Sequence, residues 1–75
     1  MEIYKDLDGD SGVVAFEIGQ DSITVQFSTG MKYLYTTRSA GAASVAEMQR
    51  LARLGNGLNS YIKRNANGAY ENKWR

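Results

Sequence analysis

The spacing of apolar side chains changes period partway along the chain. Residues 13–18 alternate, with Val14, Phe16 and Ile18 toward one side and Val13, Ala15 and Glu17 toward the other. A period of two in β-branched and aromatic residues predicts a strand. Gly19-Gln20-Asp21-Ser22 supplies turn chemistry. Residues 23–27 alternate again, Ile23, Val25 and Phe27 against Thr24 and Gln26, and after Ser28-Thr29-Gly30 a third run covers residues 31–36. Connections this short make neighbouring strands antiparallel, so the pattern predicts a three-stranded meander. Parity selects the second hairpin. A two-residue turn at Thr29-Gly30 pairs Phe27 with Lys32 and exposes Tyr33 and Tyr35. A three-residue loop with Gly30 left-handed pairs Phe27 with Met31 and Val25 with Tyr33. Only this register puts Ile23, Val25, Phe27, Met31, Tyr33 and Tyr35 on one face, as a sheet packed against helices requires.

From residue 44 the period becomes helical. Ser44 with Glu47 fits a capping box, and Val45, Met48, Leu51 and Ala52 share a face that Arg50 and Arg53 avoid. Gly55 ends this helix, and Leu58, Tyr61 and Ile62 predict a second over about 58–65, ended by Asn65-Ala66-Asn67-Gly68. The expected fold is α+β: a three-stranded antiparallel meander followed by two helices packed on one sheet face. Residues 1–11 read as an acidic lead-in, 12–70 as the single domain and 71–75 as a basic tail.

Composition narrows the chemistry. A 75-residue chain without Cys or His has no disulfide, no thiolate and no zinc site of the usual kind. The commonest general base and the best nucleophile are both missing, and no Ser has a His to activate it, so the expectation is not an enzyme and no cofactor. Met1 to Asp10 is acidic without an apolar run, and no stretch approaches a membrane span. The chain is therefore expected to be soluble and cytoplasmic, without membrane contact. The net charge of +1 conceals an asymmetry. Residues 1–21 hold six carboxylates and one lysine, whereas residues 22–75 hold eight cations and two carboxylates.

The order of features resembles the KTSC domain, named after a C-terminal extension of some lysyl-tRNA synthetases and also found as small stand-alone bacterial proteins. The matching residues are Ile18-Gly19, Ile23, Val25 and Phe27, Gly30, Tyr33-Leu34-Tyr35, and Gly57, Asn59 and Ile62. They span about residues 11–70. Gln20-Asp21 stands where such domains carry Tyr-Asp, and the Val-Pro that often precedes their helix is absent. The resemblance implies this α+β fold and, through the synthetase context, RNA as a partner.

Three constellations bear on function. Asp6, Asp8, Asp10 and Glu17 are spaced like an EF-hand loop, but Ser11 occupies the glycine position. A strand over 13–18 also carries Glu17 about 17 Å beyond Gly12, at roughly 3.3 Å per residue, out of reach of a shared ion. No metal centre is expected; a weak Ca²⁺ site at Asp6, Asp8 and Asp10 is the remainder. In the basic half, Arg50, Arg53, Lys63 and Arg64, extended by Lys73, Trp74 and Arg75, are candidates for phosphate and base contacts. The bland alternative is that these cations solvate outer helix faces. The expected function is thus a non-catalytic binding module with RNA or another nucleic acid as partner. The alternative is a protein–protein adaptor using an edge strand or the open sheet face around Val13, Leu34 and Thr36. Cations on one face beside an aromatic favour the first reading, and an exposed apolar patch the second.

Overall fold

The structure, a computed structural model, describes all residues except Asp8 and Asp10. Five antiparallel strands form one sheet in sequence order: β1 (Glu2–Ile3), β2 (Val13–Ile18), β3 (Ser22–Phe27), β4 (Lys32–Thr36) and β5 (Asn72–Trp74). Between β4 and β5 come α1 (Thr37–Ala40), α2 (Ala42–Leu54) and α3 (Leu58–Asn65). The predicted meander is the centre of this sheet. Short strands from residues 1–11 and 71–75 add its two edges, too brief to show an alternating pattern in the sequence.

The register of β3 against β4 is the one parity requires. Ile23 lies opposite Tyr35 and Val25 opposite Tyr33. The Phe27 amide donates to the Met31 carbonyl at 2.8 Å, the Gly30 amide to the Phe27 carbonyl at 2.9 Å, and Gly30 has φ 94°. Tyr35 is accordingly in the core and 2% exposed.

The β2–β3 pairing departs from simple alternation. Val13 faces Phe27, but Ala15 faces Gln26, so Val14 is an extra residue in a β-bulge. The bulge exchanges the expected sides: Val13 enters the core at 1% exposure, and Val14 is 39% exposed. The Val14 carbonyl accepts the Tyr4 amide at 3.0 Å, which continues the attachment of the first strand. Val13 therefore does not belong to an open-face adaptor surface.

The helix layer has one more element than predicted. Thr36 and Ser39 form the capping box, reciprocally bonded, and start the four-residue α1. Helix α2 then starts after Gly41, without a side-chain cap. Ser44 and Glu47 thus sit inside α2, where Ser44 Oγ accepts from the Tyr61 hydroxyl and Glu47 pairs with Arg50. The capping-box spacing fitted Ser44 equally well, but Gly41 already lets the chain turn and the helix begins upstream. The face Val45, Met48, Leu51 and Ala52 is buried as expected, joined by Leu58, Ile62 and Ala66. These pack on Val13, Phe16, Ile23, Val25 and Tyr35 from the sheet and on Tyr4, which follows β1. Gln49 Nε2 donates to the Gly19 and Ser22 carbonyls, fastening α2 to the β2–β3 turn.

Gly55 ends α2 in the left-handed region, φ 83°, and an added Cβ would lie 2.6 Å from Lys5 Cβ. Gly68 has nearly the same φ, 82°, with nothing within 4 Å of an added Cβ. Comparing the two separates backbone strain from steric approach. Gly68→Ala is expected to cost about 1 kcal/mol, the left-handed penalty alone. Gly55→Ala is expected to cost roughly 2–3 kcal/mol because the N-terminal segment must also shift. Urea unfolding of the two variants checks this, and equal costs would remove the steric argument.

Candidate nucleic-acid interface

Strand alternation and the short helix α3 together leave one region of the helix-side sheet face incompletely covered. A cleft of about 450 Å³ opens there between the β3–β4 end of the sheet and α3. Its aromatic wall is Phe27, Tyr33 and Tyr70, and its helix side is Asn59, Ile62 and Lys63, with Asn67 from the segment leaving α3. Phe27 and Tyr33 meet edge to face, centroids 5.4 Å apart, and Tyr33 and Tyr70 at 5.0 Å. Tyr70 arrives from the chain entering β5, which is tied down by Glu71: its amide donates to the Leu34 carbonyl, and its carboxylate accepts from the Thr36 hydroxyl at 2.8 Å.

Three cations border this cleft. Lys63 lines it directly. Lys73, opposite Tyr33 in the sheet and hence on the helix side, holds its Nζ 5.4 Å from the Tyr70 ring centroid. This is within cation–π range. Arg75 Nη2 donates to the carbonyl of Thr29, itself a lining residue, at 3.2 Å. The remaining sequence candidates lie elsewhere. Arg50 is engaged by Glu47 at 2.6 Å, a pairing that holds the Glu47 carboxyl below its usual range through the Arg50 hydrogen bond. Arg53 and Arg64 are exposed on α2 and α3, outside the cleft lining. Trp74 alternates away from Lys73, onto the open face opposite Lys32. The predicted set therefore divides: Lys63, Lys73 and Arg75 gather beside aromatic rings, while Arg50, Arg53, Arg64 and Trp74 do not join them.

Sequence reasoning did not single out Asn59 and Asn67 for the site. Asn67 carried only the signal of a helix stop, and Asn59 was one position in the family resemblance. Phe27 and Tyr33 read as core, and they are half-buried against it while also walling the cleft. A second, smaller and more polar pocket of about 210 Å³ lies on the other side of Asn59 and Lys63, bordered by Tyr4, Asp6 and Ser11. Asp6 Oδ1 accepts the Ser11 amide at 3.1 Å. Its expected partners in the weak Ca²⁺ site, Asp8 and Asp10, lie outside the described residues. Glu17 is on β2, opposite Thr24. Among the described residues no group of three possible ligands is assembled for a metal. Among the described residues no helix is long and apolar enough to cross a membrane.

No family model matches the chain, and neither a curated protein nor a solved structure matches it.

Burial pushes the Tyr35 phenol up to about 12, helped by the neighbouring phenols of Tyr33 and Tyr70. Tyr35 therefore keeps its proton throughout the physiological range. A raised native pKa means that the folded state holds a proton the unfolded state releases, so stability is complete below about pH 10 and declines as pH rises toward about 12. Tyr35→Phe is expected to remove this alkaline component. Urea midpoints measured from pH 8 to 11.5 for both proteins test it; parallel pH profiles would contradict the assignment.

Proposed function

We propose that the protein is a non-catalytic module that binds single-stranded nucleic acid, RNA foremost, through the aromatic cleft. The observation that carries the reading is the convergence of Lys63, Lys73 and Arg75 on a cleft walled by Phe27, Tyr33 and Tyr70. Single strands are held by cations along the backbone and by aromatic rings against unstacked bases, and this cleft offers both at once. A duplex has no unstacked base to present. The absence of His and Cys leaves no evident base or nucleophile at the site. The resemblance to KTSC domains points to the same partner class.

A protein–protein role for the open sheet face is the second reading. On that face Ile3, Ala15, Gln26, Lys32 and Trp74 form one row across the sheet. Ile3 is 79% exposed and Trp74 40%. Gln26 and Lys32 separate these two apolar ends, so the row is less suited to a dry interface than the cleft is to a nucleotide.

Three phosphate-facing cations predict a log–log salt slope of about −2 for a single strand, at about −0.7 per phosphate. Lys63→Ala, Lys73→Ala and Arg75→Ala should each weaken binding and reduce the slope by about 0.7. Arg50→Ala, on the far ion pair, should leave both unchanged. Fluorescence anisotropy with short labelled single-stranded RNA and DNA over a salt series reads this directly. No binding at tens of micromolar protein in low salt, or equal losses from Arg50→Ala, would refute the cleft as the phosphate-binding surface.

A further inference from the structure

The cleft contains more hydrogen-bonding capacity than phosphate binding uses. Among the described residues, none of the side-chain polar groups of Tyr33, Tyr35, Tyr70, Asn59, Asn67 or Lys63 is hydrogen-bonded to another side chain or to the backbone. Six such groups converge on one concavity, three of them phenols. Lys63 and Asn67 are exposed and Asn59, Tyr33 and Tyr70 half-buried, so these groups are open to a ligand that enters the cleft. Phosphates alone do not account for them: Lys73 and Arg75 are not among the lining residues, whereas Asn59, Asn67 and the three tyrosines line the cleft itself.

We infer that the cleft reads the edge of one unstacked nucleobase, and that it favours bases with a keto oxygen at purine C6 or pyrimidine C4, guanine and uracil, over adenine and cytosine, which carry an amino group there. This rests on the single-strand reading above and adds base selectivity to it. The rings of Tyr33 and Tyr70 supply apolar surface for the base, and the polar groups between them and α3 meet its edge. The selectivity follows from donor arithmetic. An Asn amide turns either its oxygen or its nitrogen to the ligand, and a phenol both donates and accepts, so neither distinguishes bases by itself. Lys63 is different: its ammonium has three N–H donors and no acceptor. At purine C6 or pyrimidine C4 it matches O6 of guanine or O4 of uracil, and it opposes the amino group that adenine and cytosine carry at the same position. Lys63 thus acts inside the cleft as a base-selecting residue as well as a source of charge.

The test is a ¹H–¹⁵N NMR titration of the full chain with GMP, UMP, AMP and CMP, following the side-chain amides of Asn59 and Asn67 and the backbone amides of Tyr33 and Tyr70. All four ligands carry the same phosphate and ribose, so differences among them report the base. GMP and UMP are expected to shift these signals with affinity about tenfold above AMP and CMP, the scale of one good base-edge contact. Lys63→Met should abolish that preference while leaving amide dispersion, and hence the fold, intact. Equal affinities for all four would overturn the inference and leave the single-strand reading standing. The same holds if the cleft signals stay unmoved while oligonucleotides bind in the anisotropy assay. Silence in both assays would overturn the two together. Preference for the amino bases, or a preference that survives Lys63→Met, would also refute the role given to Lys63.

Discussion

One sheet face carries most of the large apolar side chains that meet the helices, and in 75 residues without a cysteine no disulfide supplements that contact. A domain of this size buries only about 60% of its unfolded surface, so each misplaced side chain removes a large share of the stability. The β3–β4 loop enforces that single face. Its third residue, Gly30, moves the partner of Phe27 from Lys32 to Met31 and turns Tyr33 and Tyr35 toward the helices instead of water. The Val14 bulge does the same for the other hairpin, since without it Val13 would point away from the core it now closes. Both irregularities correct parity, and the sheet depends on each.

The candidate site follows from the same constraint. A face rich enough in aromatics to hold the core also extends past the helices available to cover it. Helix α3 is eight residues long and ends at Asn65, beyond which Phe27, Tyr33 and Tyr70 pack on one another edge to face. Edge-to-face contacts leave parts of each ring face uncovered, unlike parallel stacking, and this is what makes the cleft aromatic as well as apolar. Strand β5 then matters beyond its three residues. It places Lys73 on the cleft side and Trp74 on the opposite side by alternation alone, so a cation enters the site while the indole leaves it.

Most of the architecture was legible in the sequence because it is periodic. The three central strands, the β3–β4 register, the stop at Gly55 and the second helix over 58–65 all follow from spacing and from one glycine's backbone freedom. What was not legible depends on contacts between distant residues. The strands Glu2–Ile3 and Asn72–Trp74 exist because β2 and β4 offer them hydrogen-bonding edges. The capping residue was ambiguous because Thr36 with Ser39 and Ser44 with Glu47 both have the right spacing, and the backbone around Gly41 decides between them. For the site, charge was visible but location was not. Arg50 and Arg53 looked equivalent to Lys63 in sequence, yet only Lys63 faces the aromatic wall, because α3 and not α2 borders it.

The charge asymmetry along the chain takes on a spatial meaning from this arrangement. Its basic part divides into cations held by carboxylates and cations left to solvent. Arg50 is held by Glu47, and Arg38 lies 3.7 Å from Glu71, so the only two carboxylates after residue 21 are both engaged away from the cleft. Lys63, Lys73 and Arg75 have no described carboxylate within ion-pair distance. A cation paired with a carboxylate contributes little to a passing phosphate, because the partner's field cancels its own over a distance comparable to the Debye length, about 8 Å at physiological salt. Lys63, Lys73 and Arg75 border the same cleft, so their fields add there. On the single-strand reading proposed above, the pairing of the two glutamates with Arg38 and Arg50 leaves the cations beside the cleft available to phosphate. On that reading the strand meets these cations where aromatic rings and polar side chains line the same cleft.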